Sequence, residues 1–201
     1  LRRSMMGIAM GATAVAIIFS PLGKRSGAHF NPAVTWTFFR LGKIEAWDAA
    51  FYTLFQFAGG IAGVTLASFT LGKLISHQSV NYATTLPGPH GPIVAFFAEI
   101  FISFILMSFI LTVGNTKRLA RWTGIFAGAL VAIYITIESP ISGMSMNPAR
   151  TVASALAASA VSDTLLGSTS ARSGRLASSR PARRSITMAP IASASASAYS
   201  A

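Results

Sequence analysis

The chain has 201 residues, 52% of them hydrophobic and only 10% charged, with a net charge of +11 and no cysteine. Soluble domains carry about 25% charged residues, so this composition points to a bilayer, where charge is expensive, and the missing cysteines exclude disulfides and thiol chemistry. A basic excess suits nucleic acid or an anionic membrane surface, but Arg172, Arg175, Arg180, Arg183 and Arg184 lie in the C-terminal tail and most other cations sit in short gaps between apolar spans. No basic stripe runs along an amphipathic helix, which argues against nucleic-acid binding.

In chain order, Leu1-Arg2-Arg3 lacks an initiator Met and reads as the start of a fragment, with no cleavable signal peptide. Met5 to Phe19 is apolar or small throughout and predicts most of one transmembrane helix. Pro21 and Gly23 break it, and Lys24-Arg25 give the connection its charge. Asn31 to Phe39 is too short to cross; Asn as a cap and Pro in the first turn predict a half-helix from Asn31. A polar connection (Arg40, Lys43, Glu45, Asp48) leads to a span from Ala49 to Leu74, where Gly59-Gly60-x-x-Gly63 forms a small-residue pattern suited to close helix packing. Lys73 to Pro92 reads as a long loop. Ile93 to Val113 is a span of 21 residues interrupted by Glu99. After the basic connection Gly114 to Arg121, Trp122 to Ile137 is another span, with Gly124-x-x-x-Gly128. Glu138-Ser139-Pro140 ends it, and a second half-helix is expected from Asn147 to about Ala158. Cations cluster near Lys24, Arg40 to Lys43 and Lys117 to Arg121, three connections that fall on one side if every full span crosses and both half-helices re-enter. That side is cytoplasmic by the positive-inside rule. Two regions follow: a membrane domain over 1–162 and a Ser/Ala/Arg-rich tail over 163–201, whose composition predicts disorder.

The two half-helices open on the same words. Ser26-Gly27-Ala28-His29-Phe30-Asn31-Pro32-Ala33-Val34-Thr35 returns as Ser142-Gly143-Met144-Ser145-Met146-Asn147-Pro148-Ala149-Arg150-Thr151, an offset of 147 − 31 = 116 positions. A lone Asn-Pro-Ala says little; two copies with matched flanks beside apolar spans are specific. On these motifs, from Met5 to Ala158, the chain resembles the aquaporin (major intrinsic protein) family of membrane channels. The resemblance implies an all-α membrane protein, an inverted repeat with two re-entrant half-helices. It also implies that the family's first and last transmembrane helices are missing here, the last replaced by the tail through a change of reading frame or splice register near Val161.

The physical reading of the motifs is direct. Irregular backbone at membrane depth is tolerated where protein buries it or a water-filled cavity runs past it. Carbonyls of Gly27 to Phe30 and Gly143 to Met146 would then form a ladder of acceptors. Two half-helix N-termini would point positive dipole ends at the centre, with Asn31 and Asn147 orienting water. Cations would be repelled and the proton wire broken. The Asn-Pro-Ala residues Asn31, Pro32, Ala33, Asn147, Pro148 and Ala149 are therefore the expected pore motifs.

The resemblance places a selectivity arginine at Arg150, although an interfacial, snorkelling arginine is the bland alternative. Counting without gaps, the rest of the constriction falls on Ile135, Met144 and Gly11. That apolar set, wide at Gly11, departs from the His- and Phe-containing ring of the family's water channels; Thr151 in place of Asp departs from its glycerol facilitators. Glu99 is expected to brace the second re-entrant loop, and His29 to pack or brace the first, with proton sensing as its minority reading. Gln56 is expected to bond across helices. His77 and His90 are too isolated for a metal site, and no catalytic constellation or cofactor motif is present. The expected function is passive conduction of water and small neutral solutes, with protons and ions excluded and no cofactor. The expected partners are water or a small neutral solute, the lipid bilayer and, when full length, three further copies in a homotetramer, with no nucleic acid; the expected location is the plasma membrane. Two alternatives stand beside it: a facilitator of glycerol, ammonia or peroxide, and a non-conducting truncated fragment.

Overall fold

The computed structural model describes residues 1–160; the tail expected over 163–201 lies outside them. Among the described residues every regular element is helical. The first helix, α1 (Arg2–Phe19), begins ahead of Met5 because Arg2 and Arg3 extend it readily. Proline after Ser20 forces extended backbone there, φ −63° and ψ 158°. The chain does not then run on as a plain connection, as expected. The Ser20 hydroxyl accepts from Gly23 N at 2.9 Å and starts a short helix, α2 (Pro21–Ser26), with Pro21 in its first turn.

Next come α3 (Pro32–Arg40), α4 (Ala46–Leu71) and α5 (Lys73–Ser76). A 3-10 turn at Asn81–Ala83 precedes α6 (Gly91–Asn115). The chain continues through a second 3-10 turn (Ala120–Trp122) into α7 (Thr123–Ile137) and α8 (Ser139–Ser142), then α9 over residues 148–160. Among the described residues four helical stretches are long and apolar enough to cross a membrane: Arg2–Phe19, Ala46–Leu71, Gly91–Asn115 and Ala120–Ile137.

The sequence repeat is a structural repeat. Each long helix that leads to a motif ends at a proline-bearing turn, α2 or α8, which stops at a left-handed glycine, Gly27 (φ 68°) or Gly143 (φ 85°). The residue after each glycine is left-handed too, Ala28 (φ 52°) and Met144 (φ 46°). Such a conformation disfavours a side-chain-bearing residue by about 1–2 kcal/mol, and here it turns both loops back toward the half-helices α3 and α9.

Packing at the centre depends on glycine. A Cβ on Gly11 would stand 2.5 Å from the Gly128 carbonyl oxygen, and one on Gly7 2.5 Å from that of Ala132. On the facing helix, a Cβ on Gly128 would stand 2.4 Å from Val15 Cγ2. Gly7-x-x-x-Gly11 and Gly124-x-x-x-Gly128 therefore bring the backbones of α1 and α7 together. In α4 the pattern works differently from expectation. Gly60 faces the Ala149 carbonyl of α9, where a Cβ would stand 3.1 Å away, whereas Gly59 and Gly63 have nothing within 4 Å.

The buried centre gathers Ile102 of α6, Tyr134 of α7 and Met144 of the second loop. The segment between α5 and α6 is not a free loop: Gly88 N donates to Ile141 O at 2.9 Å, and the Leu86 backbone lies against Gly143. Large apolar side chains cover the outside instead, among them Trp47, Phe69, Phe97 and Phe104, each more than half exposed. Such an exterior suits hydrocarbon rather than water.

Candidate functional site

The two motifs meet head to head. Asn31 caps α3, its Oδ1 accepting from Ala33 N at 2.9 Å; Asn147 caps α9, its Oδ1 accepting from Ala149 N at 3.1 Å. Each amide then reaches across: Asn31 Nδ2 donates to Met146 O at 2.8 Å, and Asn147 Nδ2 donates to Phe30 O at 2.9 Å. The arrangement is reciprocal, and it aims both half-helix N-termini at one point. In the expected acceptor ladder, the carbonyls of Phe30 and Met146 each take one hydrogen bond from the opposite asparagine and keep a second lone pair for another donor. An amide NH2 has two donors, so the bond across uses one N–H of each Asn and leaves a second.

Around that point lies a cavity of about 990 Å³. Asn31, Asn147, Met144, Ile135 and Arg150 all line it. Gly11 does not. It is buried in the crossing of α1 over α7, and Met10, one residue earlier, faces the cavity with Met6. A single residue of offset on a helix turns a side chain by about 100°, so counting back from Asn31 without gaps missed the lining position. The site is thereby narrower on this side than a glycine would make it.

Arg150 N–H groups are taken up by the loop that lies over the second motif. Nη1 donates to Thr85 Oγ1 at 2.9 Å and to Met144 O at 3.4 Å; Nη2 donates to Ala83 O at 3.1 Å. Ala83 belongs to a run of three left-handed residues, Asn81 (φ 42°), Tyr82 (φ 53°) and Ala83 (φ 53°). Backbone of that kind persists only where its surroundings hold it; here Tyr82 is buried at 8% exposure. Thr85 and Ala83 carried no sequence signal: a threonine in a Pro- and Gly-containing loop is unremarkable until the fold brings it to an arginine 65 positions away.

The loops are held from behind by different chemistry. In the second, Glu99 of α6 accepts from Ser145 N (2.7 Å), Met146 N (2.7 Å) and the Ser142 hydroxyl (2.8 Å). A carboxylate is an acceptor only and suits three donors. In the first, Gln56 of α4 donates to the His29 carbonyl and, at 2.9 Å, to Thr35 Oγ1. The His29 ring lies against Phe38 (5.1 Å between centroids) and Tyr52 (5.3 Å). Pro32, Ala33, Pro148 and Ala149 shape the two half-helix starts, with Ala149 buried against Gly60. Among the described residues no group of His, Asp and Glu could hold a metal ion.

The site thus joins two neutral side-chain amides, one arginine and apolar side chains around a single cavity. Comparison with known proteins agrees with that chemistry. The family model described as "Major intrinsic protein" matches residues 2–167. The chain is 38% identical over 144 residues to the Nicotiana alata protein named "Probable aquaporin NIP-type", covering 71% of this chain and 51% of that protein. It is 36% identical to "Aquaporin NIP1-1" of Zea mays (71% of this chain, 49% of the relative) and 36% identical to "Aquaporin NIP2-1" of Oryza sativa subsp. japonica (73% and 48%). The chain thus spans about half the length of the curated relatives it matches. With the motif pair, the membrane-length helices and a family match over most of its length, the chain belongs to the major intrinsic protein family, whose aquaporins are channels and not enzymes.

Proposed function

We propose that the passage conducts water and small neutral solutes down their gradients while excluding protons and ions. One observation carries this reading: the reciprocal bonds of Asn31 to Met146 O (2.8 Å) and Asn147 to Phe30 O (2.9 Å), which join two helix N-termini beside one cavity. Two positive dipole ends there repel cations. Each asparagine's remaining N–H donates to a water oxygen, so successive waters turn about that point and cannot relay a proton. Arg150 and Glu99 act as the constriction charge and the loop brace.

The apolar partners of Arg150 favour a second reading of the cargo. Met10, Ile135 and Met144 offer no hydrogen bond to a solute, so small neutral molecules larger than water pass with less discrimination than a polar ring would impose. Stopped-flow light scattering on proteoliposomes separates the two. Osmotic shrinkage faster than in empty vesicles supports conduction of water, and accelerated reswelling in a permeant solute supports the wider cargo; the absence of both effects would sink the proposal. We also assign the protein to the plasma membrane, as a homotetramer in its full-length form. The exposed apolar faces of α4 and α6 suit contact with lipid or neighbouring subunits, and native mass spectrometry from lipid reads the assembly directly.

A further inference from the structure

Behind the second re-entrant loop lies a carboxyl group that the passage does not use. Glu138 stands one residue past the span Ala120–Ile137, is 8% exposed, and neither of its oxygens has a hydrogen-bond partner. Burying an ionised carboxylate without a donor is strongly unfavourable. Ser142, one turn further on, gives its only proton to Glu99 Oε1 at 2.8 Å while its oxygen accepts from Met144 N at 3.0 Å. A hydroxyl oxygen has two lone pairs, so Ser142 can accept one more hydrogen bond but has none left to give.

Tyr134, one turn earlier on α7, also has a buried hydroxyl with no partner. The charged group from a packed element that acts on Glu138 is Glu99 of α6, and it is of like sign. Burial raises the Glu138 pKa above its ordinary 4.5; the nearby Ser142 hydroxyl opposes that shift, and the neighbouring Glu99 charge adds to it. Glu99 accepts three hydrogen bonds, from Ser142, Ser145 and Met146, whereas Glu138 accepts none.

We propose that Glu138 is a proton-binding site that controls the brace of the second re-entrant loop. As the neutral acid it leaves the Glu99–Ser142–Met144 linkage intact. On losing its proton it repels Glu99 and draws the Ser142 hydroxyl away from it. The loop that carries Met144 and the Asn31-binding carbonyl of Met146 is thereby loosened. Conduction through the passage, on the reading proposed above, then falls as pH rises through the Glu138 midpoint.

The test uses the whole 201-residue chain in lipid vesicles. Infrared spectra taken across a pH series should show the carbonyl stretch of a protonated carboxylic acid. That band should fade as pH rises, be absent in Glu138→Gln, and survive in Glu99→Gln. Over the same pH range the hydrogen-exchange protection of the Ser145 and Met146 amides should drop several-fold in the unaltered chain and stay constant in Glu138→Gln, which mimics the neutral acid. The titration of the unaltered chain stands even if a variant fails to fold. A spectrum without the band, a band that persists in Glu138→Gln, or protection that does not follow it would overturn the proposal. Osmotic water permeability, measured alongside, should fall with the band. A chain that shows both the band and the protection change but no permeability at any pH keeps the proton site and refutes the channel reading instead.

Discussion

Three acceptors surround the Arg150 guanidinium, and two come from the loop between α5 and α6. Thr85 is the one side chain among them. Replacing it by valine keeps the volume and removes the oxygen 2.9 Å from Nη1, leaving an N–H of a half-buried cation unsatisfied. Thr85→Val should therefore free the guanidinium to move, changing the ratio of solute to water permeability while the fold is kept; an unchanged ratio in vesicle assays would deny Arg150 its constriction role. Asn31 makes a sharper case. Aspartate at that position can still cap α3 but has no N–H for Met146 O, and its charge offsets the positive helix ends. Asn31→Asp should raise cation or proton leak, read with a pH-sensitive dye in the vesicle lumen. Glu99→Gln should lower thermal stability by about 1–3 kcal/mol, because the amide leaves at least one of the Ser145 and Met146 N–H groups unsatisfied. Glu138 has the opposite sign. Its pKa is raised in the folded chain, so the stability it contributes is full below the ordinary carboxylate pKa and is lost as pH climbs through the raised one.

Among the elements, the crossing of α1 over α7 rests on the absence of side chains. Gly128→Ala would set a methyl 2.4 Å from Val15 Cγ2 and 2.7 Å from Gly11 O. Backbone on one side cannot yield, so the helices must part, at a cost of about 1–3 kcal/mol. Gly63→Ala is the matched control. Nothing lies within 4 Å of its added Cβ, and alanine in a helix interior is favoured over glycine by roughly 0.5–1 kcal/mol. Thermal unfolding in one detergent should lower the midpoint for the first and hold or raise it for the second. Equal destabilisation would mean that α1 and α7 do not cross at these glycines.

For the whole molecule, the apolar exterior and the basic connections together set the orientation. The chain has no cysteine, so a single introduced thiol reports its own side of the membrane. Lys117→Cys should react with an impermeant maleimide only after the membrane is opened, and Ser79→Cys should react from outside in intact cells. The reverse pattern would invert the topology and place Arg150 at the cytoplasmic mouth.

Much of this was legible in the residues alone. Apolar runs of membrane length have few solutions in a bilayer, since every backbone group must be satisfied within a helix, and the four spans follow from that. The repeated Asn-Pro-Ala marked the two half-helix starts because capping is a local interaction, made within three residues of the cap. Helix phase and cross-chain pairing were decided only by the fold. Gly11 went into a helix crossing and Met10 into the lining, because facing depends on how α1 rests on α7. Thr85 came to Arg150 only when the loop lay over the second motif, and Glu138 lost its partners only once Ser142 had turned to Glu99. Local sequence specifies what a segment can form; which atoms from distant segments share a few ångströms is set by packing, and in this chain that packing arranges the passage.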